Sequence, residues 1–577
     1  MRLKHGSVII VVISLLFVLV LLFGEKNDMP DGRDATVTGP DTLHDPGVII
    51  DTNAGQIHVD FIRKNDGTGK MFLFLPSFVK DNELTLSVDD FWILCFDGKR
   101  VWDGEKITLD NLPKIVTCTP AYTGWVDNTE YEFICMRSQN IPAVFIDTQK
   151  LSQKELDADK EVSDRAAFRA VDPDGSLDTA GNLELIRARG NSSFQAEKKS
   201  YRIKFSQTEQ PFGMSAEKSF ILQANAYDNT GIRNSLAYSM ADGLGIAYTP
   251  KFTPVDFYFN GVYSGNYLFL ESIKAGPGRV DIVGDDSYLF EVVHDEKRLD
   301  DEHFSFMSGG EIHLSLLYPE APSEAEKEYI RSHMNRLDGM IEDLSSGDGL
   351  DELSRYADLD SFVNMFLFNF ITDDIDAGNY SSYLYLDGRD GKVHLGPVWD
   401  YDKAWGNEKK KNAPPHFNAY SWRWPELPYD NFEYREMLRD RFPYVKGLAE
   451  HMLEQGIDEM SREIAASLEM DVTRNGYMAG QSVNTGSPEG DILQLKEYLR
   501  ERLLLLDGVV NSPGEYCRVS FKGRSGRLFW VKRGECLSVE DISFAKNLYG
   551  CEGFEFADGK ELTPEVPFND DCVVKLK

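Results

Sequence analysis

The chain is short of positive charge, histidine and cysteine for its length. Its 577 residues carry 61 Lys and Arg against 95 Asp and Glu, a formal charge of −34. Such a field repels phosphate backbones, so nucleic acid is not expected as a partner. The ten histidines are scattered without metal spacing, and no H-E-x-x-H is present. There is also no G-x-x-x-x-G-K-[ST] loop, no G-x-G-x-x-G after a strand and no G-x-S-x-G elbow. Common NTPases, zinc proteases and serine hydrolases are thereby set aside. No period of 20–50 residues repeats, which excludes a solenoid.

Long apolar runs are lacking too, with one exception. Residues 8–24, VIIVVISLLFVLVLLFG, are uncharged and follow Arg2, Lys4 and His5. Seventeen residues is the short end of a membrane span, and the preceding positive charge keeps the N-terminus cytoplasmic. No A-x-A-like cleavage site follows. The expectation is an N-terminal membrane anchor over 1–24, single-pass at the cell membrane. A cleaved signal and a secreted protein is the alternative. Either way the remaining chain lies outside the cytoplasm.

What is present describes a folded protein: 42% hydrophobic, 12% aromatic and 27% charged residues. Residues 25–46, rich in Asp, Gly and Pro, read as a linker. Over 47–140, short alternating runs such as QIHVDFI and MFLFLPSF, separated by turn residues, predict a β-sandwich-like domain. Residues 141–510 mix both periods and predict one large α+β domain. YRIKF, VDFYFN and YLFLE read as strands. Ser323 with Glu326 forms a capping box ahead of Ile330, Leu337 and Ile341. The segment 361–371, SFVNMFLFNFI, is apolar all round and predicts a buried helix. Ile492, Leu495, Leu499 and Leu506 line one face of a last helix. Over 511–577 the chain returns to strands, YCRVSF, RLFWVK, GFEFA and CVVKLK, which predicts a small β domain. Cys517, Cys536, Cys551 and Cys572 fall in it, and pairing outside the cytoplasm predicts two disulfides there.

Two acidic clusters stand out. Thr372-Asp373-Asp374-Ile375-Asp376 ends the buried helix, and Val398-Trp399-Asp400-Tyr401-Asp402 follows the strand-like KVHLGPV. Crowded carboxylates repel unless something positive sits among them. Two readings stand: turn acids facing water, or a site for a divalent cation such as Mg²⁺. Basic residues gather upstream, in Arg189-Gly190-Asn191-Ser192 and in Lys198 to Phe205. They read either as a salt-bridged surface strand or as groups pairing a nucleotide phosphate, with Gly190 allowing close approach.

These pieces together carry a resemblance. The segments RGNSS with KKSYRIKF, then LQANAYDNTGIRNSLAYSMADGLG, YFNGVYSGNYLFLESI and DDIDAGNYSSYLYLD…GPVWDYDKAWGN resemble the spore-coat CotH kinase family over roughly 141–510. The resemblance implies an atypical protein-kinase-like fold that binds ATP and Mg²⁺ and phosphorylates Ser or Thr of protein substrates. It implies that Asp400 holds metal, with Asp402 supporting it. The D-x-x-x-x-N element fits Asp374 with Asn379 literally, making Asn379 a metal ligand. Alignment on Tyr383-Leu384-Tyr385 instead makes Asp376 the catalytic residue, with Ser381 where the family has Asn. Lys204 is the implied phosphate-pairing lysine, with Lys218 as its rival. Arg189 and Asn191 are placed near the phosphates, and Glu271 beside that lysine or the metal. The C-terminal domain is similar to small β-grasp-like repeats of bacterial surface proteins. Two other readings remain: a non-catalytic surface assembly or adhesion protein on the same fold, and a cell-wall carbohydrate-binding protein stacking sugars on Trp422 and Trp424.

Overall fold

The computed structural model describes residues 47–52, 55–63, 68–90, 92–120, 129–190, 193–282, 284–293, 304–308, 312–344, 349–407, 413–420, 422–477, 483–522 and 527–577. The apolar segment 8–24 lies outside them. Among the described residues no helix is long and apolar enough to cross a membrane.

A seven-stranded closed barrel organises the molecule. Its strands run Ala143–Thr148, Asp164–Val171, Leu177–Arg189, Ser200–Glu209, Glu217–Gln223, Val262–Glu271 and Phe252–Phe259 around the ring. Parallel pairing of Ala143–Thr148 with Phe252–Phe259 closes it. Alternation sends Tyr201, Ile203 and Phe205 inward with Phe168, Phe220, Phe257 and Phe269, while Arg202 stays exposed. Small barrels are filled in this way, so the interior is a packed core and not a channel.

The outer face of the barrel is covered on two sides. Residues 48–137 form a four-stranded and a six-stranded sheet. Val48, Ile50 and Leu86 of one share a core with Met71, Leu73 and Tyr131 of the other, and with Phe145, Tyr258 and Tyr263 of the barrel. On the other side, Ile221, Leu268 and Leu270 join a core that runs through a five-stranded sheet and the helices. Glu324–Asp343 starts at Ser323 with a complete capping box to Glu326 and buries Ile330, Leu337 and Ile341. Leu359–Thr372 is buried along nearly its whole length, and Pro488–Asn511 buries Ile492, Leu495, Leu499 and Leu506.

The C-terminal segment differs from the expected all-strand domain. The hairpin Tyr516–Lys522 and Leu528–Lys532 is followed by a helix, Val539–Tyr549, before the strands Phe554–Glu555 and Cys572–Leu576. Ser538 and Asp541 form a capping box and Gly550 caps the helix end in a left-handed conformation. A strand from the preceding domain, Phe417–Asn418, extends this sheet by pairing with Leu528–Lys532. Trp530 is buried in the main helical core. The expected disulfides are absent: Cys517, Cys536, Cys551 and Cys572 are thiols, one of them inside the module's apolar core. Trp422 and Trp424 are buried as well, which removes them from any sugar-stacking surface.

The helix Ile457–Asn475 lies against the barrel strand Val262–Glu271, and a glycine makes the approach possible. Gly265 has φ +132°, and a Cβ there would meet Asp471 Oδ1 at 2.4 Å. Across this contact Lys198 Nζ pairs with Asp471 Oδ2 at 2.6 Å, both side chains buried. Asp471→Ala leaves that ammonium buried and unpaired. We expect a loss of about 3–5 kcal/mol in urea unfolding; a loss within the range of ordinary surface substitutions would show that the pair does not bind helix to barrel.

Candidate functional site

Two turns meet where the helical layer adjoins the barrel. The first leaves the helix Leu359–Thr372. Asp373 caps it in the left-handed region at φ +48°, and the chain turns through Asp374 to Tyr380. The Asp374 carboxylate braces this turn, with Oδ1 accepting from Asp376 N at 2.8 Å. The backbone amides of Asn379 and Tyr380 donate to Asp376 O. The second turn follows the strand Lys392–Leu395 and carries Trp399 to Asn407, with Asp400 at φ +64°.

A polar lattice fixes the second turn. Asp400 N donates to Tyr238 Oη at 3.2 Å and Tyr401 N to Asn234 Oδ1 at 2.7 Å, both on the helix Arg233–Gly243. Arg233 Nε donates to Ala404 O, while its Nη1 pairs with Asp228 Oδ1 at 2.6 Å in a buried salt bridge. Asn407 Nδ2 donates to both Tyr227 O and Asp402 O at 2.6 Å. Trp405 N donates to Thr372 O at 2.7 Å and so ties the two turns together.

This brings Asp374, Asp376, Asp400 and Asp402 into one electrostatic neighbourhood with two cations. Lys403 Nζ pairs with Asp376 Oδ2 at 2.9 Å. Arg189, at the end of its barrel strand, lies 5.3 Å from the Trp399 ring centroid. Burial pushes the Asp400 carboxyl up; Arg189 draws it back, Asp376 pushes it further, and the net shift is upward. Burial raises Asp374 and Asp402 more strongly, reinforced by Asp376 and Asp400 respectively. Burial lowers Lys403, but Asp376 and its neighbours outweigh that and hold it above the usual lysine range. Gln223 Nε2 donates to Asp400 Oδ1 at 2.8 Å.

Four carboxylates against two cations leave room for a divalent ion. The buried Asp374 Oδ2 has no hydrogen-bond partner. Among the described residues, however, no group of three His, Cys, Asp or Glu side chains is spaced to hold a metal alone. A hard divalent cation held here by one or two of these carboxylates would need to bring oxygen ligands of its own.

Asp373, though adjacent, belongs to the scaffold. Its oxygens accept from Ala419 N and Tyr498 Oη, both at 2.7 Å, and Arg502 lies 3.6 Å away. Arg502 is fully buried and donates to Phe370 O, Pro415 O, Phe417 O and Asn418 Oδ1.

Other expected residues stand elsewhere. Lys204 points outward from the barrel and pairs with Glu184 at 2.7 Å, and Lys218 donates to Ser206 O beside it. Glu271 is taken by Arg279 at 2.8 Å and by the amides of Ser215 and Lys251. Neither Lys204 nor Glu271 joins the acidic cluster, because strand alternation and local partners direct them away from it. Asn379 is half-buried in the first turn, and Asn191 lies outside the described residues. Lys403, Gln223, Tyr238 and the Asp228–Arg233 pair were missed. The one visible sign was a lysine directly after the second acidic cluster. Tyr227, whose ring lies 6.0 Å from Lys403 Nζ, also lines a cleft of about 1150 Å³ with Gln153, Lys199 and Arg474.

A family model described as CotH kinase protein matches residues 186–506, more than half of the chain, and the protein belongs to that family. No curated protein matches it.

The raised carboxyls set a pH dependence. In the folded chain Asp374, Asp400 and Asp402 hold protons at pH values where the unfolded chain has released them. Folding then takes up protons, so this contribution to stability falls as pH rises above about 4. Asp400→Asn should flatten the fall in metal-free protein and leave the variant at least as stable as wild type at pH 8. Urea midpoints between pH 4 and 8 measure this; an unchanged slope would place Asp400 outside the strained cluster.

Proposed function

We propose that this CotH family member is a surface-exposed atypical kinase that transfers phosphate from Mg²⁺-bound ATP to Ser or Thr hydroxyls of proteins. The observation that carries the reading is the meeting of Asp374, Asp376, Asp400 and Asp402 with Arg189 and Lys403 at two tied turns. Phosphoryl transfer asks mainly for positioning and charge stabilisation, and such a cluster supplies both.

Geometry favours Asp376 over Asp374 as the residue that meets the acceptor. Asp374 is 2% exposed and committed to its own turn, whereas Asp376 is half-buried. Asp376 orients the acceptor hydroxyl and takes its proton as the oxygen attacks the γ-phosphorus and ADP leaves. Lys403 holds the Asp376 carboxylate in place. Asp400 would hold Mg²⁺, with Asp402 behind it and Asn379 as a further oxygen donor. Bound Mg²⁺ neutralises charge on the phosphate oxygens. Arg189 faces the same charge from the barrel side. In this reading Arg189 replaces Lys204 as the phosphate-pairing cation, since Lys204 is held by Glu184. The cleft past Tyr227 is the approach for the acceptor segment. The chain would act outside the cytoplasm, anchored by residues 8–24 or released after their cleavage, and nucleic acid is not among its partners.

A second reading is a non-catalytic surface assembly or adhesion protein. The Lys403–Asp376 pair, which occupies the candidate base, and the lack of a three-ligand set among the described residues favour it.

One experiment separates them. With Mg²⁺-ATP at one hundred times Kd, wild type should gain about 2.7 kcal/mol of stability, and Asp400→Ala almost none. Phosphotransfer to a Ser-containing protein should vanish in the same variant. Folded wild type that does not respond to Mg²⁺-ATP would leave the assembly reading, and an unchanged response in Asp400→Ala would move the metal elsewhere.

A further inference from the structure

The family-matched segment ends at residue 506, yet the strands and helix beyond it touch the acidic site. The contact falls on Ile375, the residue between Asp374 and Asp376. Its carbonyl accepts from Arg527 Nη2 at 3.2 Å. Its side chain packs against the apolar core of the C-terminal module, beside Phe417 and Phe544. Ile375, Phe544 and Leu548 line one small cavity together with Asp373 and Lys403. The Arg527 charge also reaches Asp373, where it opposes the rise caused by burial.

The module is itself anchored on the segment behind the turn. Phe417–Asn418 pairs with Leu528–Lys532, the strand that begins one residue after Arg527. Trp530 N donates to His416 O, and His416 Nε2 lies 3.1 Å from Asp541 Oδ1 at the start of the module's helix. Ala419 N, next in that segment, donates to Asp373. The turn is thus held from the module through main chain and side chain at one residue, and through its neighbour by the shared strand.

We propose that the C-terminal module, residues 516–577, is a positioning arm of the acidic site, in which Arg527 and the apolar socket of Ile375 fix the turn that presents Asp374 and Asp376. Arg527 is a positioning residue that acts through the Ile375 carbonyl. A peptide bond gripped at its carbonyl while its side chain is socketed cannot swing, so the flanking carboxylates keep their direction. What the turn does rests on the phosphotransfer reading; that the module holds it does not.

The test uses the full chain and the variants Arg527→Ala and Arg527→Lys. Hydrogen exchange is followed without nucleotide at the amides of Asp376, Ala377, Asn379 and Tyr380, all hydrogen-bonded within the turn. Arg527→Ala should speed their exchange about tenfold, as loss of a charged hydrogen bond would. Arg527→Lys, which keeps a donor, should restore most of the protection. Amides of the adjacent strand Ser382–Asp387 should not change. In phosphotransfer, Arg527→Ala should lower kcat about tenfold with little change in KM for ATP. Turn amides that exchange at wild-type rate in folded Arg527→Ala would overturn the proposal. So would turn and strand amides that speed up alike, which would mean general loosening. If wild type fails to respond to Mg²⁺-ATP while the exchange result stands, the phosphotransfer reading fails and the arm remains.

Discussion

Repulsion among four carboxylates is the constraint around which the central part of this molecule is arranged. Burial pushes the carboxyls of Asp374, Asp400 and Asp402 up, and the neighbouring carboxylates, Asp376 among them, push them further. Left to itself such a cluster would open. Lys403 and Arg189 offset part of the charge, and bonds to backbone hold the turns in place. Trp405 N reaches Thr372 O, Arg233 reaches Ala404 O, and Asn407 reaches Asp402 O. The cationic side chains that do this are themselves buried, and each is satisfied: Arg233 by Asp228, Arg502 by three carbonyls and Asn418. Removing any of these leaves a stranded buried charge in addition to a loosened turn.

The layers around the site divide the work. The barrel contributes strand ends, Arg189 and Gln223, whose positions are set by a ladder of backbone bonds. The helices contribute Tyr238, Asn234 and the capped end at Asp373. Strands and helices place side chains more accurately than loops do, and here two loops are pinned to both. The polar lattice is therefore as much a part of the site as the carboxylates.

The sequence shows some of this and conceals the rest for identifiable reasons. The helix from Ser323 and the buried 361–371 segment were legible because capping and apolar periodicity are local signals. The strand YRIKF was legible too, and its alternation buries Tyr201, Ile203 and Phe205 and leaves Lys204 on the other face. What alternation cannot say is which neighbour lies across that face, and Glu184 supplied a partner away from the acids. Barrel closure joins residues 143–146 to 256–259, a pairing with no local trace. Lys403 was visible but unremarkable until Asp376 was seen opposite it. The helix Val539–Tyr549 could have been read from Ser538, Asp541 and Gly550, but strand-like runs on both sides masked it. Four cysteines in a small domain expected outside the cytoplasm suggested crosslinks, whereas the module closes through a shared strand and a buried Trp530 instead.

Barrel closure has a consequence for how this architecture can be inherited. The strands Ala143–Thr148 and Asp164–Val171 and most of Leu177–Arg189 precede the family-matched segment, yet they fill the gap between Ser200–Glu209 and Phe252–Phe259. A gene fragment trimmed to the family boundaries would encode a split ring with two bare edges, each able to recruit strands from other chains. The heritable unit of this fold is accordingly larger than its recognisable signature. Recombination that moves the signature alone would move an open ring, with the aggregation hazard that unpaired strand edges carry.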